Sequence, residues 1–173
     1  MDRRRTAYHE AGHAVMCYLS GTRELLGATV IPKDGDHGAV QFGEVPAAVV
    51  KEIESLEPSP QSANWLEQEV LFLLSGMVAE EIEFGDYFKG GVQVDIDAAT
   101  ERAFLFCDGD SPEAISSFLD RKRGDAEAIL RRNWKAVRAV ATALCERGTV
   151  SASELTAIVK DSTEVTGDEG KSP

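Results

Sequence analysis

The chain has 173 residues, of which 43% are hydrophobic and 28% charged, a composition typical of one globular domain with a buried core. Its formal net charge of −12 repels phosphate backbones and anionic membrane surfaces, so nucleic-acid binding is disfavoured as its main task. Cys17, Cys107 and Cys145 form no C-x-x-C pair, which argues against a disulfide scaffold and favours the reducing cytoplasm. The most apolar run, Val70 to Ala79, is too short to cross a bilayer, so we predict no membrane segment.

The first predicted element is a helix from Arg4 to Ser20, which has an apolar stripe and is ended by Gly21. This helix contains the pattern H-E-x-x-H. At 3.6 residues per turn, His9 and His13 lie on one face about 6 Å apart along the axis, so both imidazoles can reach one ion. Glu10 lies about 100° round the helix, beside that ion.

The H-E-x-x-H pattern is typical of zinc hydrolases. A tetrahedral zinc ion with three protein ligands leaves one position for water, whose pKa it lowers to roughly 7, and a neighbouring carboxylate can accept the proton. We therefore predict that His9 and His13 bind Zn²⁺ and that Glu10 is the general base. The alternative is that all three are ordinary polar positions on an amphipathic helix.

Two short strands are predicted next. Leu25 to Pro32 is rich in β-branched residues and is stopped by proline, and Ala39 to Phe42 follows a turn rich in Gly and Asp. The sequence thus predicts a β-hairpin or small sheet beside the helix that carries H-E-x-x-H. As an edge strand, Ala39 to Phe42 could pair with an extended peptide through main-chain hydrogen bonds; the alternative is a plain sheet edge.

A long buried helix is predicted after a breaker at residues 57–60. Its apolar residues recur at helical spacing: Leu66, Val70, Leu73 and Met77. The same stripe continues onto Glu80 and Glu81, and a carboxylate on a core-facing stripe must be paired, hydrogen-bonded or near a metal. One of the two is expected to support the metal ligands, and we assign this role to Glu81. The alternative is a helix end that frays into solvent before Gly85.

Gly90 and Gly91 are predicted to break the chain, and another helix then follows with Asp95 in its first turn. This helix is marked by Ile96, Ala99, Ala103 and Phe106. Asp95 is a candidate third ligand, although an acid in a first helical turn is usually there for the helix dipole. Glu81 and His37 are further candidates, and the residue pattern alone does not choose between them.

The rest of the chain is predicted to be helical. A long amphipathic helix spans Asp125 to Arg147 and is closed by Gly148, and a capping box at Ser151 to Glu154 opens a last short helix to Lys160. Beyond Thr163 the chain is polar and predicted to be disordered.

Four motifs in this order resemble the peptidase domain of the FtsH-type ATP-dependent zinc metalloproteases. Tyr8 to Ala14 resembles the zinc-binding helix of that family, and Thr29 to Pro32 its first strand. Ser75 to Gly85 is similar to its G-x-x-A-E-E-x-x-F-G helix, and Asp95 to Thr100 to the D-[LI]-x-x-A-T segment that supplies its third zinc ligand. The last stretch, Ile129 to Val159, resembles its closing helices.

The predicted elements and the resemblance together indicate a mainly α (α+β) zinc-peptidase domain over residues 1–162. The polar composition of residues 163–173 predicts a disordered acidic tail. The resemblance implies Zn²⁺ held by His9, His13 and Asp95, and hydrolysis of peptide bonds in unfolded or flexible polypeptides. Members of the family usually carry a membrane anchor and a hexameric ATPase module ahead of the peptidase domain. We expect neither within these 173 residues, so a separate ATPase or self-association is expected. Two departures are Val94, where the family commonly has Asn, and a shorter segment between residues 100 and 125.

Two other functions remain compatible with the sequence. A peptidase-like domain could bind a metal or a partner without catalysis, although the presence of all four active-site residues argues against it. A metallohydrolase acting on a small molecule would need a closed pocket in place of an open groove, and no sequence feature favours it.

Overall fold

The computed structural model describes residues 2–32, 38–54, 59–107 and 111–163. Within these ranges the chain is mainly helical with one small antiparallel sheet, so the predicted α+β class is confirmed. The described elements are, in chain order, α1 (Arg3–Ser20), β1 (Leu25–Thr29), β2 (Ala39–Phe42), α2 (Ala47–Glu54), α3 (Pro60–Phe84), α4 (Lys89–Ala103), α5 (Pro112–Arg132), α6 (Trp134–Arg147), β3 (Thr149–Ser151) and α7 (Ala152–Thr163).

Helix α1 lies at the centre of the molecule, between α3 and α6 and against the sheet. Every residue of α1 from Thr6 to Cys17 is buried, so its polar residues are enclosed as well as its apolar stripe. Gly12 allows α1 and α3 to touch, because a Cβ at Gly12 would lie 2.4 Å from the Ser75 carbonyl oxygen. The C-terminus of α1 at Gly21 has φ +61°, the left-handed conformation that glycine favours, as predicted.

The sheet has the strand order β2-β1-β3, and both pairings are antiparallel. Ala28 of β1 pairs with Val40 of β2 on one side and with Val150 of β3 on the other. The predicted hairpin of β1 and β2 is therefore confirmed, with β1 ending at Thr29 instead of Pro32. The third strand was not predicted, because three residues are too few to show the alternation of a strand. The predicted turn at residues 33–37, with His37, lies outside the described residues.

Helix α3 begins and ends with strong local signals. The Ser59 hydroxyl caps the helix by accepting a hydrogen bond from the Ser62 N–H, and Pro60 is the first helical residue. At the other end Gly85 has φ +81°. The long buried helix is thus confirmed, and Phe84 is followed by a defined C-terminus and not by a frayed end.

The start of helix α4 differs from the predicted chain break at Gly90 and Gly91. Gly90 and Gly91 do not break the chain; they lie in the first turn of α4, so Asp95 falls in the second turn. Glycine is tolerated there because the first N–H groups of a helix have no partner within the helix, and tertiary contacts outweigh the low helix propensity of glycine. The N–H of Phe88, just before the helix, donates to Glu80.

The single helix predicted over Asp125 to Arg147 is wrong. The structure has two helices, and Asn133 lies between them with φ −109° and ψ 21°. The sequence pattern misses the break because the apolar stripe is continuous, whereas α5 packs on α3 and α6 packs on α1. The start of α5 was also missed, although Ser111 caps it and Pro112 is its first residue.

The last helix follows β3 directly. The Glu154 carboxylate accepts a hydrogen bond from the Ser151 N–H at 3.1 Å, which is one half of the predicted capping box. Helix α7 continues past Lys160 to Thr163, and the predicted tail beyond that residue lies outside the described ranges. In the part of the chain that the structure describes, no helix is both long enough and apolar enough to cross a membrane.

Candidate metal centre

Three predicted ligand atoms meet in one place. His9 and His13 lie one turn apart on α1, and their Nε2 atoms are 3.0 Å from each other. Asp95, which α4 brings to the same point, places its Oδ2 atom 3.2 Å from each of these nitrogens. Both imidazoles are buried, and the aspartate is partly open to solvent on the cleft side. Within the described ranges, these residues are the one group of three His, Cys, Asp or Glu side chains arranged to hold a metal ion.

The other nitrogen of each imidazole is held by an acceptor. His9 Nδ1 lies 2.9 Å from Glu80 Oε1, and His13 Nδ1 lies 2.9 Å from the Phe72 carbonyl oxygen. A carboxylate or carbonyl oxygen only accepts, so each Nδ1 carries the hydrogen and donates it. In the neutral imidazoles both Nε2 atoms therefore present lone pairs towards the Asp95 carboxylate. Three electron-rich atoms this close repel one another unless a cation lies between them.

The donor set fits zinc. Zinc binds imidazole nitrogen and carboxylate oxygen at about 2.0–2.2 Å, so two ligands of a tetrahedral ion lie about 3.3 Å apart. The observed separations of 3.0–3.2 Å among the His9, His13 and Asp95 atoms are close to this edge length. Three protein ligands would leave a fourth position open, as catalytic zinc sites require.

The electrostatics of the three ligands favour a positive charge between them. Burial by itself lowers the pKa of His9, but hydrogen bonds to Asp95 and Glu80 and the nearby Glu10 charge outweigh burial and raise the pKa to about 10. For Asp95, burial raises the pKa, but the charge and hydrogen bond of His13 and the hydrogen bond to His9 lower it well below its usual range. The site thus attracts a cation, which can be a proton or a metal ion.

Glu10 is buried beside the ligands and faces the same cleft. Burial raises the pKa of its carboxyl group, and the charges of His9 and His13 and a hydrogen bond from the Val40 N–H partly offset the effect. A raised pKa brings a carboxyl group closer to the pH at which it can both accept and donate a proton. The position therefore suits the predicted general base.

The carboxylate that supports His9 is that of Glu80, which corrects the assignment of Glu81. Glu80 is fully buried and contacts His9 directly. Glu81 points away from the histidines and pairs with Arg123 at 2.6 Å. The two residues differ by only 100° on α3, and the apolar stripe alone does not say which of them faces α1.

Gly76 is a site residue that the sequence analysis missed. It lies on α3 directly against the imidazoles, so a Cβ at this position would be 2.4 Å from His13 Nε2 and 2.7 Å from His9 Nε2. Glycine at this position of α3 leaves the space in which the ligand atoms converge. The signal was present, because Gly76 is the first residue of the G-x-x-A-E-E pattern.

The ligands open into a cleft of about 480 Å³ between α1, β2 and the start of α4. Its walls are largely apolar: Val40, Phe42, Phe72, Leu73 and Val94. Strand β2 is the edge strand of the sheet and forms one rim of the cleft through Ala39, Val40 and Phe42. Among the described residues that line the cleft, the charged side chains besides the histidines are those of Glu10 and Asp95.

A known family matches the part of the chain that contains these residues. The model of peptidase family M41 matches residues 1–105, more than half of the chain, and this range contains both histidines, Glu10 and Asp95. The chain belongs to peptidase family M41. The M41 match ends just after α4, so it covers every element that contributes a ligand.

Curated relatives of this M41 domain are FtsH proteins. It is 28% identical over 178 residues to "ATP-dependent zinc metalloprotease FTSH 9, chloroplastic/mitochondrial" of Oryza sativa subsp. japonica, covering 89% of this chain and 21% of the relative. It is 33% identical over 104 residues to "ATP-dependent zinc metalloprotease FtsH" of Rickettsia felis, covering 59% of this chain and 15% of the relative. The chain thus spans about a fifth or less of the length of these relatives, and the resemblance to an FtsH-type peptidase domain is confirmed.

Proposed function

We propose that this M41 domain is a zinc-dependent metalloendopeptidase that hydrolyses peptide bonds in unfolded or flexible polypeptides. The observation that carries the proposal is the convergence of His9 Nε2, His13 Nε2 and Asp95 Oδ2 within 3.2 Å of one another, at the base of an open cleft. The printed names of the relatives, which are zinc metalloproteases, support the same metal and the same reaction class.

The roles of the side chains follow from their partners. His9, His13 and Asp95 would hold the metal, and Glu80 and the Phe72 carbonyl fix the hydrogen of each imidazole on Nδ1. When bound, zinc supplies Lewis-acid chemistry, which polarises a carbonyl and lowers the pKa of water. Glu10 would accept the proton of the attacking water and donate it to the leaving amine.

The cleft favours an extended chain as substrate. Apolar walls at Phe42, Phe72 and Val94 suit apolar side chains, and the edge strand β2 offers main-chain hydrogen bonds that demand no particular sequence. A folded substrate would have to be opened first, so a separate ATPase or self-association of the domain is part of the proposal, supported by the ATP-dependence in the relatives' names.

Three variants test the proposal. Glu10→Gln keeps the shape of the side chain but removes the base, so we expect it to retain zinc and to lose about 10²–10⁴-fold in the rate of casein cleavage. His13→Ala should lose both zinc and activity. Glu81→Gln is the matched control, because this glutamate lies on α3 close to the site but pairs with Arg123; it should retain both.

The measurements are zinc content by elemental analysis and chelator-sensitive peptide cleavage. A protein that binds zinc but cleaves no peptide would support the alternative of a non-catalytic domain. Cleavage by Glu10→Gln at the rate of the parent protein would exclude Glu10 as the base.

A further inference from the structure

Arg5 connects three parts of the structure around the candidate metal centre. It lies on α1, one turn before His9. Its Nη1 donates to Glu80 Oε2 at 3.0 Å and to the Asp86 carbonyl oxygen at 3.1 Å, and its Nη2 donates to Asp86 Oδ1 at 2.7 Å. Arg5 thus joins α1 to the buried end of α3 and to the turn that leads into α4.

Glu80 uses its two oxygen atoms on different elements. Oε1 accepts from His9 Nδ1 at 2.9 Å, and Oε2 accepts from Arg5 and also from the Phe88 N–H at 2.9 Å. Phe88 is the residue immediately before α4, the helix that carries Asp95. One fully buried carboxylate therefore contacts a ligand on α1 and the start of the helix that supplies the third ligand.

We propose that Arg5 is a positioning residue for the metal centre. By anchoring Glu80 and Asp86, its guanidinium fixes the start of α4 relative to α1, and so fixes Asp95 relative to His9. This inference rests on the proposed metal site, but it assigns to Arg5 a role that the H-E-x-x-H pattern does not contain.

The energetic reason is the burial of Glu80. A buried carboxylate is stable only when its oxygens are hydrogen-bonded and its charge is compensated. Without Arg5, the Oε2 atom keeps the Phe88 N–H but loses its guanidinium partner, which favours movement of Glu80 away from His9. Partners that orient metal ligands in this way typically change metal affinity about 10–100-fold.

Arg4 provides a matched control on the same turn of α1. Both guanidinium groups lie over the Phe84 ring, at 4.6 Å for Arg5 and 5.2 Å for Arg4. The acidic partner of Arg4 is Glu83, in a more exposed ion pair. Replacing either arginine removes one positive charge and one contact with the Phe84 ring, and replacing Arg4 also removes a contact with the Tyr8 ring. The contact with Glu80 is lost only with Arg5.

The experiment compares Arg5→Met and Arg4→Met in the full chain. Zinc affinity is measured by competition with a chromophoric chelator, and ligand geometry by the visible spectrum of the Co²⁺-loaded protein. We expect Arg5→Met to bind zinc about 10–100-fold more weakly, with an altered Co²⁺ spectrum. Arg4→Met should match the parent protein in both, and Arg5→Lys should recover part of the affinity because it keeps the charge.

The possible results distinguish the positioning role of Arg5 from the proposed zinc site. Equal zinc affinity and spectra for Arg5→Met and the parent protein would overturn the positioning role and leave the proposed function intact. A parent protein that binds no zinc would overturn both. If circular dichroism shows that Arg5→Met does not fold, Asp86→Ala replaces it in the test, because it removes the exposed side-chain acceptor of the guanidinium. Unchanged zinc affinity in both Asp86→Ala and Arg5→Lys would overturn the inference.

Discussion

Gly76 shows how closely the candidate site depends on single residues. The two Nε2 atoms of His9 and His13 lie against its Cα, at a position where a Cβ would be 2.4 Å from the nearer one. We expect Gly76→Ala to lower zinc affinity by roughly 5–150-fold, because overpacking of this kind costs about 1–3 kcal/mol. Chelator competition measures the affinity.

The control for this substitution is Gly124→Ala. Gly124 lies in α5, and a Cβ there would meet no atom within 4 Å. It should leave zinc affinity unchanged and raise stability by about 0.5–1 kcal/mol, because alanine is the better helix former. Full zinc affinity in Gly76→Ala would mean that the imidazoles can move aside, contrary to the tight packing described above.

Among single residues, the sequence predicts the metal ligands and the general base of the site better than the contacts that hold them in place. His9, Glu10 and His13 follow from their spacing on one helix, because a helix fixes the directions of residues one and four apart. The choice between Glu80 and Glu81 depends on which face of α3 meets α1, and that is decided by tertiary packing. The contact of Arg5 with Glu80 joins residues 75 positions apart, and no local pattern contains it.

Strand β2 carries the main prediction at the scale of elements. It is the edge of the sheet, and its residues Ala39, Val40 and Phe42 line the cleft. A peptide that adds to this edge would use every second amide, because the N–H groups of a strand alternate in direction. Methylating one pairing amide of a substrate should raise KM by roughly 3–10-fold, since one hydrogen bond contributes about 0.5–1.5 kcal/mol.

The measurement is a scan of single N-methyl groups along one peptide substrate. The methyl groups on non-pairing amides serve as internal controls, so the expected KM pattern alternates with a period of two residues. An even increase at all positions, or none, would contradict binding by strand addition.

The elements themselves were predicted where local signals are strong. Helices α1 and α3 each end at a glycine with positive φ, and the hairpin of β1 and β2 follows from proline and glycine signals. The break at Asn133 was missed because α5 and α6 carry one continuous apolar pattern. The break between the two helices is needed because α5 packs on α3 whereas α6 packs on α1. Likewise, Gly90 and Gly91 remain helical because the start of α4 is anchored through Phe88 and Glu80.

At the scale of the whole molecule, the fold places a polar site inside a helical core. Helix α1 is enclosed by α3, α6 and the sheet, so its two histidines are held from all sides, while α4 brings Asp95 from the cleft side. The sequence predicts the mainly helical class and the ligand types. The meeting of residues 9 and 95 required either a family resemblance or the folded chain, because periodicity describes single elements and not how they pack together.

The proposed metal site is tested most directly by the position of zinc in crystals of the metal-loaded protein, located by anomalous diffraction at the zinc absorption edge. We predict one strong peak within about 2.0–2.2 Å of His9 Nε2, His13 Nε2 and an Asp95 carboxylate oxygen, and its loss in His13→Ala. A zinc ion bound by other residues, or no peak between the two imidazoles at full zinc loading, would contradict it.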